Sequence, residues 1–435
     1  MQLKKIKAQM SLATCALLQV AAPVVQAVEA DWDIETSALY YSESDGRVSA
    51  FEPAIYAGKD LEEGGRLNLR LVIDVLTGAS PNAAHASTVA QTFTTPSGNN
   101  TYTVQPGETP LDDTFHDTRV SFGADWSLEL DRMSRLTLGT NVSKEYDYLA
   151  LGLSVAYAHD LNDRNTTLTA SFGFNNDTIE PEGDIPTALQ AMVTQGSSAA
   201  NRQGASDDKT IGDVLFGITQ VINRNTIMQL NYSFGQTDGY QNDPFKIVSV
   251  IDPATGLPAT TGFFDTANTG NRAYLYESRP DSRNRNNIYF KTVHHLQEDI
   301  INFSYRYYWD DWDINSHTLD LKYRYQMKAS YLQPHIRYYK QDAAEFYVHN
   351  LSLGSDVNAT TGAVSRQYAS SDSRLADSET VTVGLKYGLP LSNNSEFSVR
   401  GEFVRLTIDD GSVPDNERTP DLDAVMLQFS YALIW

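Results

Sequence analysis

Charged residues recur at fixed spacing in this chain, each set in an alternation with apolar ones. In the stretch Arg66–Leu76, Asn68, Arg70 and Asp74 interleave with Leu67, Leu69, Leu71, Ile73 and Val75. Residues two apart in an extended segment share a face, so the charges point one way and the apolar side chains the other. The same alternation puts Arg119, Arg306, Lys322, Arg324, Arg337, Lys386 and Arg400 on the charged faces of their segments, against Asp33, Glu35, Glu52, Asp117, Asp125, Asp320 and Glu402. Charges of both signs on one common face would line a water-filled lumen with a transverse field that selects small polar solutes. The alternative is that they pair across neighbouring segments and fill the interior. Lys322 and Arg324, with Arg337 on the next segment and Arg306 on the preceding one, form the most basic patch and the candidate constriction or anion contact.

Other chemistries find less support. His294 and His295 are adjacent in an extended segment, so they face opposite ways and cannot chelate together. Asp311, Asp313 and Asn315 copy the start of a calcium loop, but the glycine and the distal glutamate are missing. No Gly-x-Ser-x-Gly elbow groups the serines, histidines and aspartates. The expectation is a chain without cofactor, metal or enzymatic activity.

Positioning such faces requires strands, and sixteen segments show the alternation. The last is the clearest: Val425, Leu427, Phe429, Tyr431, Leu433 and Trp435 occupy every second position from Asp423 to the aromatic end. That pattern suits the closing seam of a transmembrane β-barrel, with Phe429, Tyr431, Leu433 and Trp435 as its assembly signal to the barrel-assembly machinery. The others are 32–42, 47–58, 66–76, 114–128, 135–143, 146–159, 167–175, 211–222, 226–235, 288–295, 300–309, 317–326, 332–339, 380–388 and 397–406. Long connections, 77–113, 176–210, 236–287, 340–379 and 407–422, all fall on odd numbers in chain order, and the even ones are short. Periplasmic turns are short and extracellular loops long, so this sorting predicts a barrel of 14–18 strands with both ends in the periplasm. The long loops are rich in Gly, Asn, Asp, Ser, Thr and Pro, a composition that stays solvated or orders only over a mouth. Aromatics such as Trp32, Tyr40, Trp126, Tyr305, Tyr307, Trp309, Tyr323, Tyr325, Tyr338 and Trp435 gather near segment ends, where girdles at two lipid interfaces would put them.

The amino terminus reads as a secretory signal peptide over residues 1–30. Lys4, Lys5 and Lys7 precede an apolar run, and small residues suit cleavage after Ala27 or Ala30. The one cysteine, Cys15, lies inside it, so residues 31–435 would carry neither disulfides nor thiolate-bound metal. With 33 Lys and Arg against 55 Asp and Glu, the formal charge is −22, which disfavours a nucleic-acid partner.

Three stretches carry a resemblance. They are Tyr40-Tyr41-Ser42-Glu43-Ser44-Asp45-Gly46-Arg47-Val48, Phe51-Glu52-Pro53 and Leu76-Thr77-Gly78-Ala79-Ser80-Pro81-Asn82. Over nearly the whole mature chain the sequence resembles a family of Gram-negative proteins catalogued only as a domain of unknown function and expected to be outer-membrane β-barrels. The family's motif continues with glycine where this chain has Ala83. The resemblance implies a location and a fold and assigns no activity. Family members are often encoded beside a small lipoprotein and thioredoxin-like or flavin-transferase proteins, which implies a redox-linked assembly.

The sequence therefore predicts a single all-β domain, an antiparallel barrel of about sixteen strands in outer-membrane lipid. Its expected role is a porin-like passive channel for small polar solutes. The alternative is a non-conducting scaffold or sheath that anchors a periplasmic or lipoprotein partner.

Overall fold

The computed structural model describes residues 32–434, apart from 62–64, 113, 194–199, 393, 412 and 414–416. The expected signal peptide and Trp435 lie outside the described residues. Sixteen strands make up the barrel: β1 (Asp33–Glu43), β2 (Ser49–Asp60), β3 (Gly65–Thr77), β4 (His116–Glu129), β5 (Ser134–Lys144), β6 (Tyr148–Leu161), β7 (Thr166–Ile179), β8 (Asp207–Asn223), β9 (Thr226–Gly239), β10 (Ser282–Leu296), β11 (Asp299–Asp310), β12 (Asn315–Gln326), β13 (Tyr331–Gln341), β14 (Asp377–Ser392), β15 (Ser395–Asp409) and β16 (Leu422–Ile434). Each pairs with its chain neighbours, and β16 closes on β1 in an antiparallel ladder from Asp33 opposite Ile434 to Glu43 opposite Ala424. Closure leaves no free sheet edge, the condition for a sheet to stand in hydrocarbon.

The alternation read from β16 is realised side by side. Val425, Leu427, Phe429 and Tyr431 are exposed on the outside, whereas Ala424 is buried inside. Similar outward rows run through Leu151, Leu153 and Val155 on β6 and through Val381, Val383 and Leu385 on β14. In water such a surface would drive aggregation, and lipid is the solvent that tolerates it. Its height can be judged on β12. His317 is stacked under Tyr307 near the long-loop end, at a ring distance of 4.9 Å, and Tyr325 is exposed near the other end. Eight residue steps of about 3.3 Å, tilted by roughly 40°, span about 20 Å, close to the apolar band of such barrels. Aromatic rings mark both limits. Tyr305 shares a 2.8 Å hydrogen bond with His317 and Tyr307 stacks on Trp309 at the upper limit, while Trp126, Tyr157, Tyr325 and Tyr431 are exposed towards the lower.

Connections sort by rim. The short turns 130–133, 162–165, 224–225, 297–298 and 327–330 lie on one rim, and the loops 78–115, 180–206, 240–281, 342–376 and 410–421 on the other. Most strands run past the apolar band into the long-loop rim. β10 begins at Ser282, six residues before the segment that starts at Ile288 in the hydropathy pattern. Beyond the hydrocarbon both faces of a strand meet water or protein, so the alternation stops before the hydrogen-bonded ladder does.

The long loops order over the mouth and build a core of their own. Ile247–Asp252 is flanked by Tyr274–Tyr276 and by Leu257–Pro258, and Leu351–Ser352 pairs with it in parallel. Val248, Phe264, Leu275, Leu351 and Val357 have no exposed surface and pack together, and a second cluster joins Phe93 and Val104 to Met192, Ile247 and Tyr274. Four loops from different parts of the wall thus share one cap. The chain enters it at Gly78, whose φ of +127° suits glycine alone and where a Cβ would strike the Arg47 carbonyl. Ala83, five residues further on, adopts the left-handed φ of +74°.

Candidate functional site

Beneath the cap the barrel encloses a cavity of about 2060 Å³. Its lining runs from Asp33, Arg66 and Glu396 near the short-turn rim to Asn82, His85 and Arg374 under the loops. Charge is unevenly spread over the wall, with Lys144 on β5 and Lys209 on β8 lining it only at the strand ends nearer the mouth. β4, β5 and β8 bring Asp117, Asp125, Asn141 and Asp213, while β10, β11 and β13 bring Arg283, Arg285, Arg306 and Arg337. Arg283 is held by Asp310 at 2.5 Å and lies over the Trp312 ring, and Arg285 is 3.4 Å from Asp213. Arg306 lies over the Tyr289 ring at 5.4 Å. Among the described residues neither Arg306 nor Arg337 has a carboxylate at salt-bridge distance, so both present net charge to the cavity.

The residues singled out from the sequence divide in two. Arg70, Arg306 and Arg337 line the cavity. Lys322, Arg324 and Asp320 sit on the inward face too, but they are tied into the wall. His335 bridges two carboxylates, with Nε2 2.8 Å from Asp320 and Nδ1 2.9 Å from Glu402. Lys322 is 3.5 Å from Asp320 and Arg400 3.8 Å from Glu402, and Arg324 lies 3.6 Å above the Tyr331 ring, whose hydroxyl donates to Glu396. The four-cation patch expected to form one constriction is therefore split, because neighbouring strands supply His335, Glu402 and Tyr331 to engage half of it. Asp74 and Arg119 are likewise a wall pair: Asp74 is fully buried and takes the Arg119 Nε at 2.8 Å. Phe429 and Tyr431 are exposed on the outward face of β16 at the seam, and Leu433 pairs with Ile34 of β1 there. Asp311 accepts from the Asn284 backbone and side-chain amides at 2.9 and 2.8 Å, so the sequence 311–315 makes a structural turn.

Sequence reading did not anticipate the roof. Glu277, Arg279, Asp372, Arg374 and Asp243 form a network joining loops 240–281 and 342–376. Arg279 contacts Glu277 and Asp372, each at 2.7 Å, Arg374 contacts Asp372 and, at 3.1 Å, Asp243, and Ser370 donates to Glu277 at 2.5 Å. Burial pushes the Glu277 carboxyl above its usual range. Burial opposes ionisation of Asp372 as well, but Arg374 and Arg279 outweigh it and hold that carboxyl well below the usual range. Lys246, donating to the Pro81 carbonyl, ties loop 78–115 to the same roof. Beside it His85 and His349 stack with ring centroids 4.6 Å apart. Burial, reinforced by His349, lowers the His85 pKa to about 3, and burial lowers that of His349 despite Asp410 and Glu417. The only sequence signal for this roof was the density of acids and arginines in the loops, which is the composition of a solvated surface.

A family comparison matches residues 7–433 to the family described as "Protein of unknown function (DUF3570)". The chain belongs to this family. Its membership covers nearly the whole sequence, as the Tyr40–Val48 and Leu76–Asn82 stretches imply. No curated protein matches the chain in sequence. Among solved structures, this family member is similar to a bacterial polysaccharide outer membrane secretin, at 7% identity and a TM-score of 0.44 over 94% of this chain and 100% of that one. It is also similar to Pseudomonas aeruginosa OccK5 (OpdH), at 11% identity and 0.40 over 93% and 98%. Pseudomonas aeruginosa OccK2 (OpdF) in complex with glucuronate aligns at 10% identity and 0.40 over 93% and 98%.

Proposed function

We propose that this chain is an outer-membrane barrel that passes small polar solutes, with anionic groups meeting Arg306 and Arg337. The observation that carries this reading is the roughly 2060 Å³ cavity, polar at both ends and crossed by a field from the acids of β4–β8 to the arginines of β10–β13. Carboxylate or phosphate groups gain charge-assisted hydrogen bonds from such guanidinium groups without displacing an existing partner. The long-loop rim would face the exterior and the short turns the periplasm.

A second reading rests on the cap. Its own apolar core and buried ion network over the mouth suit a non-conducting barrel that holds a periplasmic or lipoprotein partner. Single-channel recording from the purified full chain in planar bilayers separates the two. Ohmic steps with anion preference, moved towards cation preference in an Arg306→Gln/Arg337→Gln variant, are expected. A correctly folded barrel that stays silent across a wide voltage range would overturn the channel reading, and recovery of a stoichiometric partner would favour the scaffold.

A further inference from the structure

We propose that Asp117, Glu145 and Asp147 form a calcium site at the long-loop edge of the lumen. Asp117 is the second residue of β4, and Glu145 and Asp147 belong to the tight turn 145–147 between β5 and β6. The fold brings one carboxylate oxygen from each within 4.8 Å of the other two. All three residues border the cavity, so water and ions reach them from inside the barrel.

Clustered acids alone would be unremarkable at the rim of a chain with charge −22. Asp117 makes this cluster different. It is 7% exposed, and its Oδ1 is buried without a hydrogen-bond partner among the described residues. Across the ladder its neighbour is Leu76, whose side chain packs with Val48 and Ala50 and can donate nothing. The cation nearest in sequence on the same face, Arg119, is already bound to Asp74. A buried carboxylate in that setting calls for a positive ligand, because desolvation without compensation is costly. Its oxygens lie where two further carboxylates converge.

The donor set identifies the class of cation. Three carboxylates with no histidine or cysteine suit a hard, oxygen-loving ion rather than zinc. Calcium binds oxygens at about 2.3–2.6 Å, so two of its ligands can stand as far apart as about 4.6–5.2 Å, whereas magnesium at about 2.0–2.1 Å allows only about 4.2 Å. All three oxygens lie within 4.8 Å of one another, close enough to share one shell, and calcium accepts an irregular set of protein oxygens whereas magnesium demands near-ideal octahedral geometry. Water from the cavity can complete the six to eight ligands. A bound ion would fasten the start of β4, where loop 78–115 re-enters the wall, to the next hairpin along the rim.

Terbium luminescence tests this, because Tyr146 and Tyr148 flank the cluster and can sensitise the lanthanide. The purified full chain in detergent, stripped with EDTA, is expected to give saturable luminescence that calcium displaces with a midpoint of about 10⁻⁴–10⁻³ M, the range of extracellular calcium modules. Magnesium should require at least tenfold more. Asp117→Asn should weaken binding at least tenfold, and Asp163→Asn on the opposite rim should leave it unchanged. If Asp117→Asn loses heat-modifiable migration, Glu145→Gln carries the comparison. Absence of a saturable signal from the folded wild-type chain overturns the site. So does wild-type affinity in every cluster variant that folds, and equal displacement by magnesium overturns the assignment to calcium.

Discussion

Acidification should loosen the cap, and the His85–His349 pair sets how much. Both side chains are buried, and His85 Nδ1 and His349 Nε2 have no hydrogen-bond partner among the described residues. In a loop released to solvent each would titrate near 6.5. Docked, His85 takes a proton only near pH 3, since burial and the neighbouring ring oppose it, and His349 is depressed in the same direction. Above pH 6.5 both states are neutral and the pair adds no pH-dependent term. As pH falls below 6.5, the released loops gain protons that the docked loops refuse, so docking weakens progressively down to about pH 3. At pH 5 the gap is about 1.5 pH units, which at 1.36 kcal/mol per unit costs about 2 kcal/mol for His85 alone, roughly a 30-fold shift towards the released form. Asp410, 3.9 Å from His349, and Glu417 soften the effect at His349 without reversing it. Hydrogen exchange of the amides in 84–104 and 346–357 at pH 7.5 and pH 5, corrected for intrinsic rates, measures it. Equal protection at the two values, or an unchanged pH dependence in His85→Gln, would refute the reasoning.

Two substitutions probe the wall and the cap entrance. Leu153 is 65% exposed at the middle of β6, so Leu153→Arg sets a cation in hydrocarbon and should cost about 2–4 kcal/mol in urea titrations of liposome-reconstituted protein, whereas Ser154→Arg faces the lumen and should cost little. Equal losses would place the lipid on the wrong face. Ala83→Gly relieves a left-handed alanine at φ +74° and should stabilise the docked loop 78–115 by about 1 kcal/mol, read as slower proteolysis within that loop; faster cleavage would show that the strain is not there to relieve.

The wall was legible because lipid enforces a two-residue period. β16 and β3 declare their faces in sequence, and the odd numbering of long connections distinguishes the two rims. Strand ends were not legible. Arg283, Arg285 and Asn287 continue the inward row of β10, but no apolar residues alternate with them above the hydrocarbon, so in sequence the row is indistinguishable from loop 236–287. The lumen patch shows a second limit. Periodicity put Lys322, Arg324 and Arg337 on the correct face, yet it could not show that His335 and Glu402, on other strands, would occupy part of that charge. The cap was hidden most thoroughly. Phe93, Val248, Leu275 and Leu351 are scattered among polar residues in loops, and only their convergence from distant parts of the chain makes a core.

Convergence of that kind has a bearing on biogenesis. Loop 78–115 leaves the wall after β3 and loop 342–376 after β13, so the two can meet only once the intervening ribbon has curled round and bonded to its own beginning. Bringing such remote segments together is slow until the wall does it for them. Condensation of the lid should therefore be the final event of maturation, and a stalled intermediate on the insertion machinery would betray itself by loops that proteases still cut.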